Sequence, residues 1–316
     1  MAANSVEKDM RDAFGATLVE LGHKHKNLIF LDADLHTSTK ASYFKKAFPD
    51  RFIQVGIAEQ NLFGISAGLA SEGFIPMPST FAVFASRRAL DQIAISICFP
   101  KLNVIIPGSY VGIPTSRAGG SHNSIEDIAI MRAMPNMKVA DPLCNNDLSA
   151  IMRTALETGG PVYFRITRYD VPEFFSDSHS FEWGKGITMR EGSDITLFGT
   201  GVMTWKAMQT AEALEKKGIS AEVIHLASIK PIDRELILKS VSKTGCAVTV
   251  ENASTSGGFG DAVLEVISEN HPVRVSKIGV VDSFIESGGI EELFSHYKMQ
   301  PEHILAAATR MIQLTT

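Results

Sequence analysis

The chain has 316 residues, 45% of them hydrophobic and 21% charged, with a formal net charge of −5, an ordinary globular composition with length for about two domains. No basic run dense enough for nucleic acid or an anionic membrane surface occurs, and no stretch of roughly 18 or more apolar residues reads as a membrane span. Cys98, Cys144 and Cys246 have no metal or redox spacing and the N-terminus lacks an apolar leader core, so a cytoplasmic protein without a metal-ligating cluster is expected.

In chain order, residues from about Val6 to His23 carry Met10, Ala13, Phe14, Leu18 and Leu21 at helical spacing. Asn27 to Leu31 is a compact apolar strand that runs into the polar loop D-A-D-L-H-T-S. Loops of this kind follow strand ends in α/β folds, where open parallel sheets place their chemistry. A helix near Thr39 to Ala47 and a strand at Phe52 to Val55 come next, then a helix with Glu59 in its first turn and small residues at Gly64, Ala67 and Gly68. An extended run at Phe74 to Pro78, a helix from about Ala82 to Ile97 and a strand at Asn103 to Ile106 follow, ahead of a glycine-rich loop from Pro107 to Gly120. Ser124 and Asp127 form a plausible capping box, which sets His122 immediately before a helix start. A strand at Met137 to Ala140, a helix at Asn145 to Glu157 and a strand at Val162 to Ile166 complete a first unit.

Val171 to Arg190 is rich in Pro, Ser, Gly and acids and reads as a surface linker, after which the alternation resumes with strands at Ile195, Ala221, Ala247 and Val273, and a last helix after Pro301. The expectation is an α/β protein of two domains, each a mostly parallel sheet flanked by helices: 1–172, a linker 173–190, and 191–316. G-T-G at Gly199 to Gly201 lacks the rest of a dinucleotide fingerprint, and S-G-G-F-G-D is explained by a tight strand-to-helix turn.

Taken singly, the chemistry-bearing residues have plain explanations. Glu59 suits a helix N-terminus, where the dipole favours an acid. Phe81 and Phe84 suit a core, and a lone loop histidine such as His122 suits a surface. Taken together, G-I-A-E-Q-N around Glu59, S-T-F-A-V-F at Ser79 to Phe84, and His122 ahead of I-E-D-I-A-I-M-R-A-M-P-N-M resemble the thiamine-diphosphate-dependent transketolase family, and more narrowly the C-terminal subunit of a split transketolase. The resemblance runs from about Arg11 onward. It implies a pyrimidine-binding domain followed by a transketolase C-terminal domain, with Glu59 hydrogen-bonded to ring N1′ of the cofactor and Phe81 and Phe84 as walls to its pyrimidine. It further implies Asp34 near the thiazolium side, His122 beside the substrate carbonyl and hydroxyl, and Arg11, Ser38 and Arg168 at a sugar phosphate. An arginine fork suits a phosphate or a comparable oxyanion such as a sulfonate.

Two departures qualify that picture. Transketolases carry roughly Gly-Glu-Asp-Gly-x-Thr-His before the histidine, with the Asp on the donor's C2 hydroxyl. Here S-R-A-G-G-S-H puts Ala118 at that position and Arg117 before it, and Tyr110 stands where another histidine is usual. A non-standard anionic ketose is expected, with Arg117 as a further anion contact. Nothing resembles the Gly-Asp-Gly and downstream Asn through which the family holds Mg2+ and the diphosphate. The resemblance therefore implies an N-terminal partner subunit carrying that module, in a heterotetramer of two of each chain. The expected activity is transfer of a two-carbon ketol unit from a ketose phosphate or related anionic ketose to an aldose. The β subunit of a 2-oxo acid dehydrogenase and a non-catalytic scaffold are the alternatives.

Overall fold

Runs that are apolar at consecutive positions form strands buried on both faces, as a parallel sheet covered by helices requires. Leu28–Asp32, Ile75–Phe81, Ile105–Ser109 and Val162–Ile166 are buried at every residue. In the computed structural model, which describes residues 4–315, these strands lie in a seven-stranded sheet. Its order is Ser228–Lys230, Lys138–Ala140, Val162–Ile166, Ile105–Ser109, Ile75–Phe81, Leu28–Asp32 and Phe52–Gln54. All neighbours are parallel except the first pair.

The strand period of two divides the packing. Ile29 and Leu31 face one layer with Leu62, Phe63, Ile93 and Ile97, whereas Leu28 and Phe30 face the other with Met10, Phe14, Leu18, Leu21 and Ile151. A five-stranded sheet forms the second unit, in the order Arg274–Val280, Cys246–Ser254, Ile195–Gly199, Ala221–His225 and Ile187–Arg190, with only the last strand antiparallel. The protein is thus an α/β fold of two mostly parallel, helix-flanked sheets. One apolar cluster joins them, running from Ile29 and Leu62 to Phe198, Phe259 and Val263.

Several local expectations are corrected. Val6 lies in a strand, Asn4–Lys8, paired antiparallel to Val171–Glu173. The first helix is Met10–Lys24, because Asp9 caps it by accepting from the Arg11 amide at 2.9 Å. The helix at Ala82 is α-helical only to Arg87 and becomes a π-helix over Gln92–Cys98, whose wider turns bury Ile93, Ile97 and Cys98. The capping box at Ser124 does not form. Asp127 begins the helix Asp127–Ala133, but Arg165 and Tyr163 take its carboxylate, and the Ser124 hydroxyl is buried without a partner among the described residues. Segment 171–190 contributes a strand at each end. Ser228–Lys230 reaches back from the second unit to edge the first sheet.

Candidate active site

Phe81 is the last residue of its strand, and every other candidate residue except Arg11 follows the carboxyl end of a strand of the first sheet: Asp34 and Ser38 after Asp32, Glu59 after Gln54, Phe84 after Phe81, Tyr110, Arg117 and His122 after Ser109, and Arg168 after Ile166. This is the edge at which open α/β sheets bind ligands. Register brings the strands level there, with Asp32 beside Gln54 and Ser79, Phe81 beside Ser109, and Ser109 beside Ile166.

Glu59 opens the helix Glu59–Ser71 and is 5% exposed. Among the described residues no side chain caps this helix, so the acid sits at free amide ends, where a negative charge is favoured. Gln54 shapes the approach to it. Its carbonyl oxygen accepts from the amides of Asp34 (3.0 Å) and Gly56 (2.9 Å), and its amide donates to the buried Asp32 carboxylate at 2.8 Å. Arg88 donates to Glu59 Oε1 at 3.0 Å while its guanidinium lies 4.1 Å from the centroid of the Phe84 ring. Glu59 and Phe84 are thereby held on one wall. Sequence reasoning missed Arg88, although its position four residues after Phe84 was a helical-face signal.

Phe81 is the last residue of its strand rather than part of the helix, and Phe84 lies in the first helical turn. Their rings still stack, with centroids 5.8 Å apart and an interplanar angle of 20°. Tyr110 stacks on Phe81 at 4.0 Å, and His122 presents its edge to Phe84 (5.5 Å) and Phe81 (6.0 Å). Ser121 Oγ lies 2.8 Å from His122 Nδ1. Asp34 is exposed, at a φ of 65°, one residue before Leu35, which packs on the Phe81 cluster. The buried acid of this loop is Asp32, which holds Leu35 N and His36 Nδ1.

Tyr110 joins the aromatic wall to the arginines. Arg11 Nη1 donates to Tyr110 Oη at 3.0 Å and to the Ser38 carbonyl at 3.2 Å, and the Arg168 guanidinium lies 4.8 Å from the Tyr110 centroid. Arg11, Ser38 and Arg168, far apart in sequence, therefore converge on one phenol. Ser38 takes part through its backbone. Arg11 is also paired with Asp9, whose hydrogen bond raises its pKa. Among the described residues Arg168 and Arg117 make no ion pair, and both line one cavity of about 290 Å3 with Pro114, Ser116, Ala118 and Ile290. On its other side Arg168 borders a cavity of about 700 Å3 that reaches Trp205 and Lys206.

Beneath the site lies a buried ion network. Arg165, fully buried, donates to Asp127 Oδ2 (2.8 Å), Asp141 Oδ2 (2.9 Å) and the Asn252 carbonyl (3.0 Å) of the second sheet. The second unit's glycine-rich turn is filled by a side chain of its own, because the Glu251 carboxyl oxygens accept from the amides of Phe259 and Gly260 at the next helix start.

Comparison with known proteins places this arrangement. Residues 6–173 match the transketolase pyrimidine-binding domain and residues 184–304 the transketolase C-terminal domain. A split-gene transketolase solved as an inactive β4 tetramer superposes with a TM-score of 0.91 at 48% identity, covering 97% of this chain and 99% of that one. A 6-deoxy-6-sulfo-D-fructose transketolase subunit of Clostridium sp. strain MSTE9 is 40% identical over 95% of this chain and 93% of its own length. An apulose-4-phosphate transketolase subunit of Phocaeicola vulgatus is 35% identical over 96% of this chain and 97% of its own. With both domains matched and this similarity running along nearly the whole of split-enzyme subunits, the chain belongs to the transketolase family, in which it corresponds to the pyrimidine-binding and C-terminal domains.

Proposed function

We propose that the chain is the C-terminal subunit of a two-chain transketolase that moves a two-carbon ketol unit from a ketose with an anionic terminus to an aldose. The observation that carries the anionic-donor reading is the pairing of Arg117 and Arg168 across one cavity of about 290 Å3, beside a tyrosine stacked on the aromatic wall. Two arginines facing one space, with no carboxylate partner among the described residues, attract an oxyanion. The sulfofructose and apulose-phosphate relatives, both named for anionic sugars, support this.

The residues also suit the pyrimidine of thiamine diphosphate. A buried carboxyl stands at a helix start beside stacked phenylalanines, and Ser79, Thr80 and Ser109 bury hydroxyls with no partner among the described residues at neighbouring strand ends. When bound, the cofactor supplies the electron sink for cleaving the donor's C2–C3 bond. Glu59 would hold a proton at ring N1′, with Phe81 and Phe84 forming an aromatic wall to the ring. His122 moves protons at the substrate's carbonyl and hydroxyl oxygens, a role suited to imidazole near neutral pH. Asp34 would lie toward the thiazolium side. Arg11, Ser38, Arg117 and Arg168 bind the anionic end, and Ala118 leaves the C2 hydroxyl without the usual carboxylate.

Mg2+ and the diphosphate belong to an N-terminal partner in a cytoplasmic heterotetramer. An exposed face beside Glu59 supports a partner. Gly64 and Gly68 open onto free space, and Ile57, Ile95 and Phe99 are 76%, 62% and 80% exposed.

Calorimetric titration of thiamine diphosphate with Mg2+ tests the reading, on the chain alone and on the chain with an N-terminal transketolase subunit encoded beside it. Binding only by the pair is expected, followed by ketol transfer from 6-deoxy-6-sulfo-D-fructose or D-fructose 6-phosphate. Tight binding by the lone chain refutes the divided cofactor site, and absence of transfer from any anionic ketose refutes the donor class.

A further inference from the structure

The loop that carries Arg117 and His122 leaves the first sheet after Ser109, yet its flanks are packed into the second unit. Ile113 and Ile125 are buried in the second unit's core together with Ile285. The Ile113 amide donates to Asn252 Oδ1 at 2.9 Å, and the Ser254 amide donates to the Ile125 carbonyl at 2.7 Å. Gly112 N closes the loop on the Ser124 carbonyl at 2.7 Å, and Gly112 lies so close to the Asn252 amide that a side chain has no room there.

The tip is held as well. Ser116 Oγ donates to the Gly288 carbonyl at 2.7 Å, a Cβ on Gly119 would lie 2.6 Å from Ser287 Oγ, and one on Gly120 would lie 3.2 Å from the Ile285 carbonyl. Ser116 has φ 60° and ψ −119°, a backbone state disfavoured for a residue with a Cβ. Such a state persists where its surroundings hold it, and here the holder is the segment 285–288. From Gly119 the chain turns directly into His122, whose amide donates to the Gly119 carbonyl at 3.0 Å.

We propose that the second unit positions His122 for the reaction, with Asn252, Ser287 and Gly288 acting as positioning residues through Ile113, Ser116 and Gly119. None of the three needs to touch substrate. Their part is to fix the loop that presents His122 edge-on to Phe81 and Phe84. The inference rests on the reading of His122 as a group that meets the substrate.

The test has two arms, run on Ser116→Ala, Asn252→Ala and His122→Ala in the full chain. Hydrogen exchange with mass spectrometry on the chain should show peptides within 111–125 exchanging at least tenfold faster in Ser116→Ala and Asn252→Ala. Strand peptides 28–32 and 195–199 should be unchanged, and tryptic cleavage after Arg117 should accelerate. With the partner subunit and 6-deoxy-6-sulfo-D-fructose or D-fructose 6-phosphate as donor, kcat should fall tenfold or more, and donor KM should rise with it because the same loop carries Arg117. Unchanged exchange in 111–125 overturns the proposal. So does a loosened loop with full kcat where His122→Ala has lost turnover. Full turnover by His122→Ala overturns the role of His122 instead, and the exchange arm keeps that outcome distinct from a loss of anchoring.

Discussion

Replacing Arg165 with Met keeps most of the side-chain volume and removes the cation shared by two buried carboxylates. Arg165 makes two bonds to Asp127, one to Asp141 and one to the Asn252 carbonyl, all in an environment where Arg165 and Asp127 have no solvent exposure. Breaking a buried pair by deleting one partner costs about 3–5 kcal/mol, because the remaining charge stays buried and uncompensated. At about 1.5 °C per kcal/mol for a chain of 316 residues, the apparent Tm should fall by about 5–8 °C. The pH dependence has a definite sign. Burial already pushes the Asp141 carboxyl up despite the opposing pull of Arg165, and losing that cation pushes it further. An acid whose pKa is raised in the folded state favours folding while protonated and disfavours it as pH rises. The Tm deficit of Arg165→Met, followed by scanning fluorimetry, should therefore be smaller at pH 5 than at pH 8. Adding Asp127→Asn should recover part of it. A loss below about 1 kcal/mol at both pH values, or a deficit larger at pH 5, would refute the reasoning.

Glu59→Gln keeps the shape at the helix start but cannot exchange a proton, so turnover of the assembled enzyme should fall by about 10²–10⁴ while its size-exclusion profile stays the same. Arg117→Ala and Arg168→Ala each remove a charge-assisted contact of about 1.5–3 kcal/mol. Donor KM should rise about 10–100-fold in each, less than multiplicatively when combined, with little change for a neutral ketose such as L-erythrulose. Tyr110→His introduces an imidazole that gains charge as pH falls through about 6.5, so donor KM in steady-state assays should drop with falling pH more in the variant than in the parent. Burial pushes the Glu251 carboxyl up to about 7 from an ordinary 4.5. Relative to Glu251→Gln, the parent should lose thermal stability as pH rises from 4.5 to about 7 and lose no more above it.

The parallel strands were readable because their burial is written as apolar runs, as in Leu28–Leu31 and Val162–Phe164, and the two-sheet plan follows from their alternation with helices. What failed to show was competition for single side chains. Ser124 and Asp127 have the spacing of a capping box, but a buried guanidinium is a stronger claimant for a carboxylate than a backbone amide, and Arg165 lies 38 residues away in sequence. The strand Ser228–Lys230 was equally hidden. It is too short for a periodicity signal, and its partner is Val139–Ala140 of the first unit.

The candidate site was legible as a set of motifs, whereas its wiring came from contacts between distant residues. Arg11, Ser38 and Arg168 carried no mutual signal in the sequence, yet each meets Tyr110, the residue singled out only as a departure. That meeting changes the meaning of the departure. A phenol stacked on Phe81 and bonded to Arg11 ties the arginines to the aromatic wall, so a change there alters the spacing between those guanidiniums and the phenylalanines. Asn252 makes the same kind of connection from the other side, with its carbonyl on Arg165 and its side chain on Ile113. The ion network and the His122 loop thus share one residue. A substitution that opens the seam at Arg165 should also loosen residues 111–125, coupling the stability of the two-unit interface to the geometry of the site.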